Sequence, residues 1–98
     1  MYGLIGKMVA VPGQREPLIS ELLDGVDKLP GCLSFVVARD EDSADAIWIT
    51  EVWDSEASHK ASLELPFIKA SIARAMPLIA KFENPQKTKP VGGYGLPL

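Results

Sequence analysis

The chain has 98 residues, 47% of them hydrophobic and 23% charged, and a formal net charge of −3. That length makes one small domain over residues 1–98, too apolar to be disordered. The acidic balance argues against a nucleic-acid partner, because such binders carry a basic face.

The N-terminal run "MYGLIGKMVAV" is apolar but has no cationic start and no cleavage-like site, so it reads as a strand and not as a signal peptide. No stretch is long enough to span a bilayer. No membrane partner is expected, and the expected location is cytoplasmic. The first strand covers residues 2–11, and Pro12-Gly13 ends it. Gly3 and Gly6 weaken it, so each marks a bulge or a close approach by another group.

A helix is predicted over residues 14–28. Leu18, Leu22, Val26 and Leu29 recur at three or four, with Ile19 and Leu23 beside them. Pro17 falls near the first turn, where a missing N–H does least harm. Gly25 costs roughly 1 kcal/mol there against alanine, and "LPG" at 29–31 stops the helix. Residues 1–49 hold four Lys/Arg and eight Asp/Glu, and most of that acidic excess lies on this helix and on the loop "RDEDSAD", which reads as solvated surface.

The second strand is 32–39, "CLSFVVAR". Its cysteine, Cys32, is the one in the chain. It permits no internal disulfide and reads as a small buried side chain. There is no Cys/His pattern for a metal. A polar hairpin loop leads to the third strand, 46–53, "AIWITEVW", rich in β-branched and aromatic residues. "FVVA" and "AIWI" are apolar on both faces, whereas a strand buried on one side alternates. Both faces of the sheet should therefore be covered.

Asp54-Ser55 caps a helix, "SEASHKASLE", and Pro66 starts another, "PFIKASIARAM". In the second, Phe67, Ile68, Ser71, Ile72, Ala75 and Met76 form one stripe, and Pro77 kinks or ends it. "LIAKFENPQKTKPV" holds a last strand, which Pro85 and Pro90 confine to an edge or a bulge. The apolar tail, residues 91–98, closes the chain.

The order is β-α-β-β-α-β, the ferredoxin-like pattern, with a four-stranded antiparallel sheet. Helices cover one face of that sheet, and the chain is too short to cover the other. The simplest solution is a two-fold homodimer packed sheet to sheet, with the tail reaching across.

With Pro30-Gly31 before the second strand, Glu51 and Trp53 at the end of the third, a Ser/Asp cap, Glu56-Ala57, His59 and the closing "PVGGYGL", the chain resembles the antibiotic biosynthesis monooxygenase family of dimeric α/β-barrel proteins. The resemblance covers nearly the whole chain. It implies a dimer with a pocket in each subunit between the sheet and its helices. Some members oxidise phenols or quinols with molecular oxygen and no cofactor, the substrate's own carbanion supplying the electron. Such chemistry needs a base, a polar clamp and a dry aromatic pocket. A haem-degrading branch needs an asparagine on the first strand, then a tryptophan and a histidine on the helices after the third. Residues 1–11 hold no asparagine, and no tryptophan follows Trp53.

The expected function is thus cofactor-independent oxygenation of a small aromatic, phenolic or quinol-type molecule. The alternatives are a non-catalytic small-molecule-binding or stress-response module, and an isomerase or ring-opening enzyme on the same scaffold. His59 is the candidate base, the one side chain with an unperturbed pKa near neutrality; the competing reading is a solvated helix residue. Trp53 walls an aromatic ligand or simply packs at the strand end. Ser62 belongs to a run of small residues that leaves space. Arg39 holds an anionic group or lies at a loop edge, and Tyr2 hydrogen-bonds a substrate oxygen or is structural. Glu51, in an apolar strand, needs a partner that sequence does not name. On a 3.6-residue period, His59, Ser62, Leu63 and Pro66 share the face toward the sheet, while Lys60 and Glu64, spaced i, i+4, take the water side.

Overall fold

The computed structural model describes residues 1–96, with the side chain of Asn84 excepted; the end of the expected tail, residues 97–98, lies outside the described residues. Four strands form one sheet: β1 (Tyr2–Ala10), β2 (Cys32–Arg39), β3 (Ala46–Trp53) and β4 (Ile79–Thr88). Their spatial order is β2-β3-β1-β4 and every neighbouring pair is antiparallel. With α1 (Arg15–Leu23), α2 (Glu56–Ser62) and α3 (Pro66–Ala75) this is the ferredoxin-like arrangement. Among the described residues no helix is long and apolar enough to cross a membrane.

The first helix is shorter than the expected 14–28. It stops at Leu23, and residues 26–28 form a single 3-10 turn. Gly25 separates the two at φ 77°, a left-handed conformation that costs glycine nothing and other residues much. A Cβ there would come within 2.9 Å of the Phe67 ring on α3. The glycine is therefore a stop signal and a close-packing point, and not merely a weak spot in a longer helix. The second helix is broken in two as the sequence implies, with residues 63–65 between α2 and α3. Ser55 caps α2, its Oγ accepting the Ser58 N–H at 3.1 Å.

β4 is an edge strand, and its ladder with β1 slips between Ile5 and Lys7, at the stretch that holds Pro85. Proline has no N–H for the ladder, so the irregularity sits where the sequence demands it. Gly6 lies opposite this bulge. Gly3 has another role: Thr88 and Pro90 leave no space for a side chain there.

Leu18, Ile47, Ala10 and Ala75 are buried together, with Met8, Ile19, Leu22, Val37, Leu78 and Ile79 packed around them. This core occupies the end of the sheet near the start of β3. Arg15 ties α1 to the β2–β3 loop there, its Nη1 donating to the Ser43 carbonyl at 3.0 Å. The sheet face away from the helices is open in the single chain, and Ile5, Val36 and Trp48 are exposed on it. Cys32 is half-buried, not buried. Val91 and Tyr94 of the tail are fully exposed.

Candidate functional site

Alternate residues of a strand share a face. On β3 the face toward the helices carries Ile47, Ile49, Glu51 and Trp53, and the first two belong to the apolar interior. Beyond Ile49 the core gives way to a cavity of about 190 Å³ between the sheet and the helices. Met8, Phe35 and Ile49 form its floor, and Leu22, Leu29, Ile68 and Ile72 line its helical side. Ser62 and Ser71 stand where larger residues would fill it.

At the Trp53 end the wall turns polar. Trp53 is 1% exposed, and its indole Nε1 donates to Glu51 Oε1 at 3.0 Å. The His59 ring meets the Trp53 ring edge-on, with centroids 5.3 Å apart. The ring of Tyr2, opposite Trp53 in the β1–β3 register, is tilted against the imidazole with centroids 5.6 Å apart. Burial pushes the Glu51 carboxyl above its ordinary value, while the Trp53 N–H and the charge of His59 oppose that rise. A carboxyl in this setting can accept a hydrogen bond from a ligand hydroxyl or exchange a proton with it.

The seating of His59 depends on the turn before β2. The Asp54 N–H donates to the Gly31 carbonyl at 2.9 Å, fixing the start of α2 against the Pro30-Gly31 turn. Gly31 has φ 81°, and a Cβ on it would lie 2.6 Å from Ser58 Oγ. This glycine lets α2 lie close and turn His59 and Ser62 inward. Glu21 and Asp24 stand on the rim of the cavity, both paired with Arg74 of α3, at 3.0 and 3.5 Å.

Of the residues singled out from sequence, the structure brings together Trp53, His59, Tyr2 and Ser62. His59 and Ser62 line the cavity, while Tyr2 and Trp53 stand behind His59. The Ser62 hydroxyl donates to the His59 carbonyl at 2.6 Å, so its proton is committed to the helix and it offers a ligand only an acceptor. Arg39 lies elsewhere. Its register partner is Ile47, at the core end of β3, and its Nε donates to Glu16 on α1 at 2.9 Å. It is a surface ion pair and no clamp on a ligand in this cavity. Pro66 is exposed, because the helical phase that turns His59 inward is lost at the break after α2. Glu64 pairs with Lys69 at 3.0 Å and not with Lys60.

Glu51 is the site residue that sequence left without a role. The signal was the i, i+2 spacing to Trp53, which puts an indole N–H and a carboxylate on one strand face. Among the described residues no group of three or more His, Cys, Asp and Glu side chains is placed to hold a metal ion.

A family model described as antibiotic biosynthesis monooxygenase matches residues 1–74. A solved Chloroflexus aurantiacus protein named for that family is 59% identical, superposes with a TM-score of 0.94, and is aligned over 97% of each chain. Two more distant structures named for the family share the fold. The Deinococcus radiodurans protein is 21% identical over 95% of each chain, with a TM-score of 0.78. The Caulobacter crescentus protein is 20% identical, covers 93% of this chain and 90% of its own, and has a TM-score of 0.80. A comparison with curated protein sequences finds no significant match.

Proposed function

Since the chain belongs to the antibiotic biosynthesis monooxygenase family, we propose that it is a cofactor-independent monooxygenase acting on a small phenolic or quinol-type aromatic. The observation that carries this reading is a largely apolar cavity with one polar end, where Glu51, Trp53 and His59 converge. Apolar walls bind and dry an aromatic ring, and the polar end handles its hydroxyl. In the proposed reaction a base at that end takes the hydroxyl proton. The resulting anion gives electron density to dioxygen, and a new C–O bond forms para to the first oxygen. In a ring with a free para carbon, the base returns its proton to the outer peroxide oxygen, and loss of that hydroxyl with the para hydrogen, as water, leaves the quinone. His59 is the first candidate for the base, as its side chain lines the cavity and a neutral imidazole has a ring nitrogen that can accept a proton.

An oxygen electrode tests the reading. Uptake with a quinol or naphthol, reduced at least tenfold by His59→Ala, is the expected result. Saturable binding of the same compounds without oxygen uptake would favour a non-catalytic binding module.

Two copies are proposed to join through the open sheet face. Ile5, Val36 and Trp48 are exposed on that face, and large exposed apolar patches on soluble chains mark interfaces. The tail from Val91 onward, which packs on nothing in its own chain at Val91 and Tyr94, is proposed to lie on the second copy. Light scattering should give about twice the 10.6 kDa chain mass; a monomer at micromolar concentration would contradict it.

A further inference from the structure

A second cavity, of about 130 Å³, lies beside the first and shares Met8, Ile49 and Glu51 with it. Its other walls come from the edge of the sheet, chiefly Leu4, Phe82 and Pro85. Two sequence features create it. Pro85 forces the irregularity in the β1–β4 ladder, and Gly6, opposite, leaves the space unfilled. A Cβ on Gly6 would meet Pro85 at 3.9 Å, an ordinary contact, and the backbone there is not left-handed. Gly6 is therefore not required by the chain's path, and what its lack of a side chain provides is room.

The two volumes decide between ligand sizes. An apolar cavity of about 150 Å³ takes benzene, so the first cavity at about 190 Å³ suits one substituted ring. Small-molecule sites generally begin at roughly 300 Å³. Neither cavity reaches that alone; joined through their shared wall, they do.

The geometry points to a two-lobed site: a hydroxylated ring in the lobe under the helices, an alkyl chain or second ring in the lobe over Gly6, and the Glu51 carboxyl at the waist. This rests on the first cavity being the ligand site. It adds that the preferred ligand is elongated and that Gly6 and Phe82 set how long it is. Trp53 occupies one acceptor position of Glu51, and a carboxylate has about four, so a ligand hydroxyl at the waist has acceptor capacity to meet.

Calorimetric titration with 4-alkylphenols, from 4-methyl to 4-pentyl, tests this without requiring turnover. In the natural protein each added methylene should tighten binding about fourfold, the equivalent of about 0.8 kcal/mol per buried CH₂. Gly6→Leu fills the second lobe and should abolish that gain while leaving 4-methylphenol within twofold. Phe82→Ala removes the lobe's outer wall at an exposed position on β4 and should flatten the series with the β1 sequence unchanged, which covers the case in which Gly6→Leu fails to fold. A flat series in the natural protein, or a fourfold step that survives in whichever variants fold, overturns the second lobe. Oxygen uptake is read separately: uptake with a flat series removes the lobe and keeps the proposed reaction, and a steep series without uptake does the reverse.

Discussion

Trp53→Phe is the most informative perturbation of the polar end. It keeps an aromatic ring against His59 and deletes the N–H that reaches Glu51 Oε1 at 3.0 Å. A hydrogen bond to a charged group contributes about 1.5–3 kcal/mol. The smaller ring at a position 1% exposed adds about 1 kcal/mol of lost packing. The expected cost is about 3 kcal/mol, against roughly 5–15 kcal/mol for a whole domain. A thermal midpoint should fall by about 12–24 °C, at about 4–8 °C per kcal/mol for this size. Denaturation at pH 8 measures it, and the Glu51→Gln background isolates the charge. There the indole meets a neutral carbonyl worth only about 1 kcal/mol, so Trp53→Phe should cost about 1–2 kcal/mol less. Equal costs in the two backgrounds, within about 0.5 kcal/mol, would refute the reasoning. The pH dependence has a definite sign. The Glu51 carboxyl is raised above its ordinary 4.5, so the folded chain carries no penalty below 4.5. The penalty grows as pH climbs from there through the raised value and is constant above it. Glu51→Gln should therefore gain stability relative to the natural protein across that window and hold the gain at higher pH.

Gly31→Ala should destabilise by at least about 1–3 kcal/mol for the left-handed backbone alone, and the clash with Ser58 should displace α2; a change below 0.5 kcal/mol in urea denaturation would show that α2 is seated otherwise. Asp40 is held at about 2 by the Trp48 indole N–H first, then by the amides of Asp42 and Ser43, with Lys7 nearby. Its stabilising effect is complete above the ordinary 3.8 and is lost as pH falls toward 2, so an Asp40→Asn chain should lack that part of the acid loss in a pH titration followed by circular dichroism. Arg39→Ala should leave ligand affinity within twofold, because Arg39 is occupied with Glu16 at the far end of β3; a tenfold loss by calorimetry would return it to the site.

The topology was legible because its signals are local. Short apolar runs rich in β-branched and aromatic residues, Pro12-Gly13, Pro30-Gly31 and the serine cap each act over a few residues, and together they leave one plausible order of elements. The inward turn of His59 was legible for the same reason, since Lys60 and Glu64 mark the wet face of a short helix. What escaped were facts set by packing at long sequence separation. Gly25 looked like a flaw in a helix, because the Phe67 ring that explains it lies 42 positions away in the chain and on another element. Arg39 sits on the helix-facing side of β2, yet that it pairs away from the cavity depends on where α1 places Glu16. The meeting of Tyr2 with His59 needed the β1–β3 register, which forms only when a crossover closes. Glu51 and Trp53 were adjacent on one face in the sequence itself, but a tryptophan reads first as a wall and only in three dimensions as a donor.

α2 is seven residues long. A helix that short has no stability of its own in water, so it persists through its packing, and although the His59 ring rests against Trp53 and Tyr2, both His59 and Ser62 also border open space. A molecule entering that space would add to the contact that holds the helix in place. Occupancy and the local folding of α2 are then one linked equilibrium. The same short segment that presents the imidazole would also register whether the cavity is filled, and amide exchange over residues 59–63 should slow when it is.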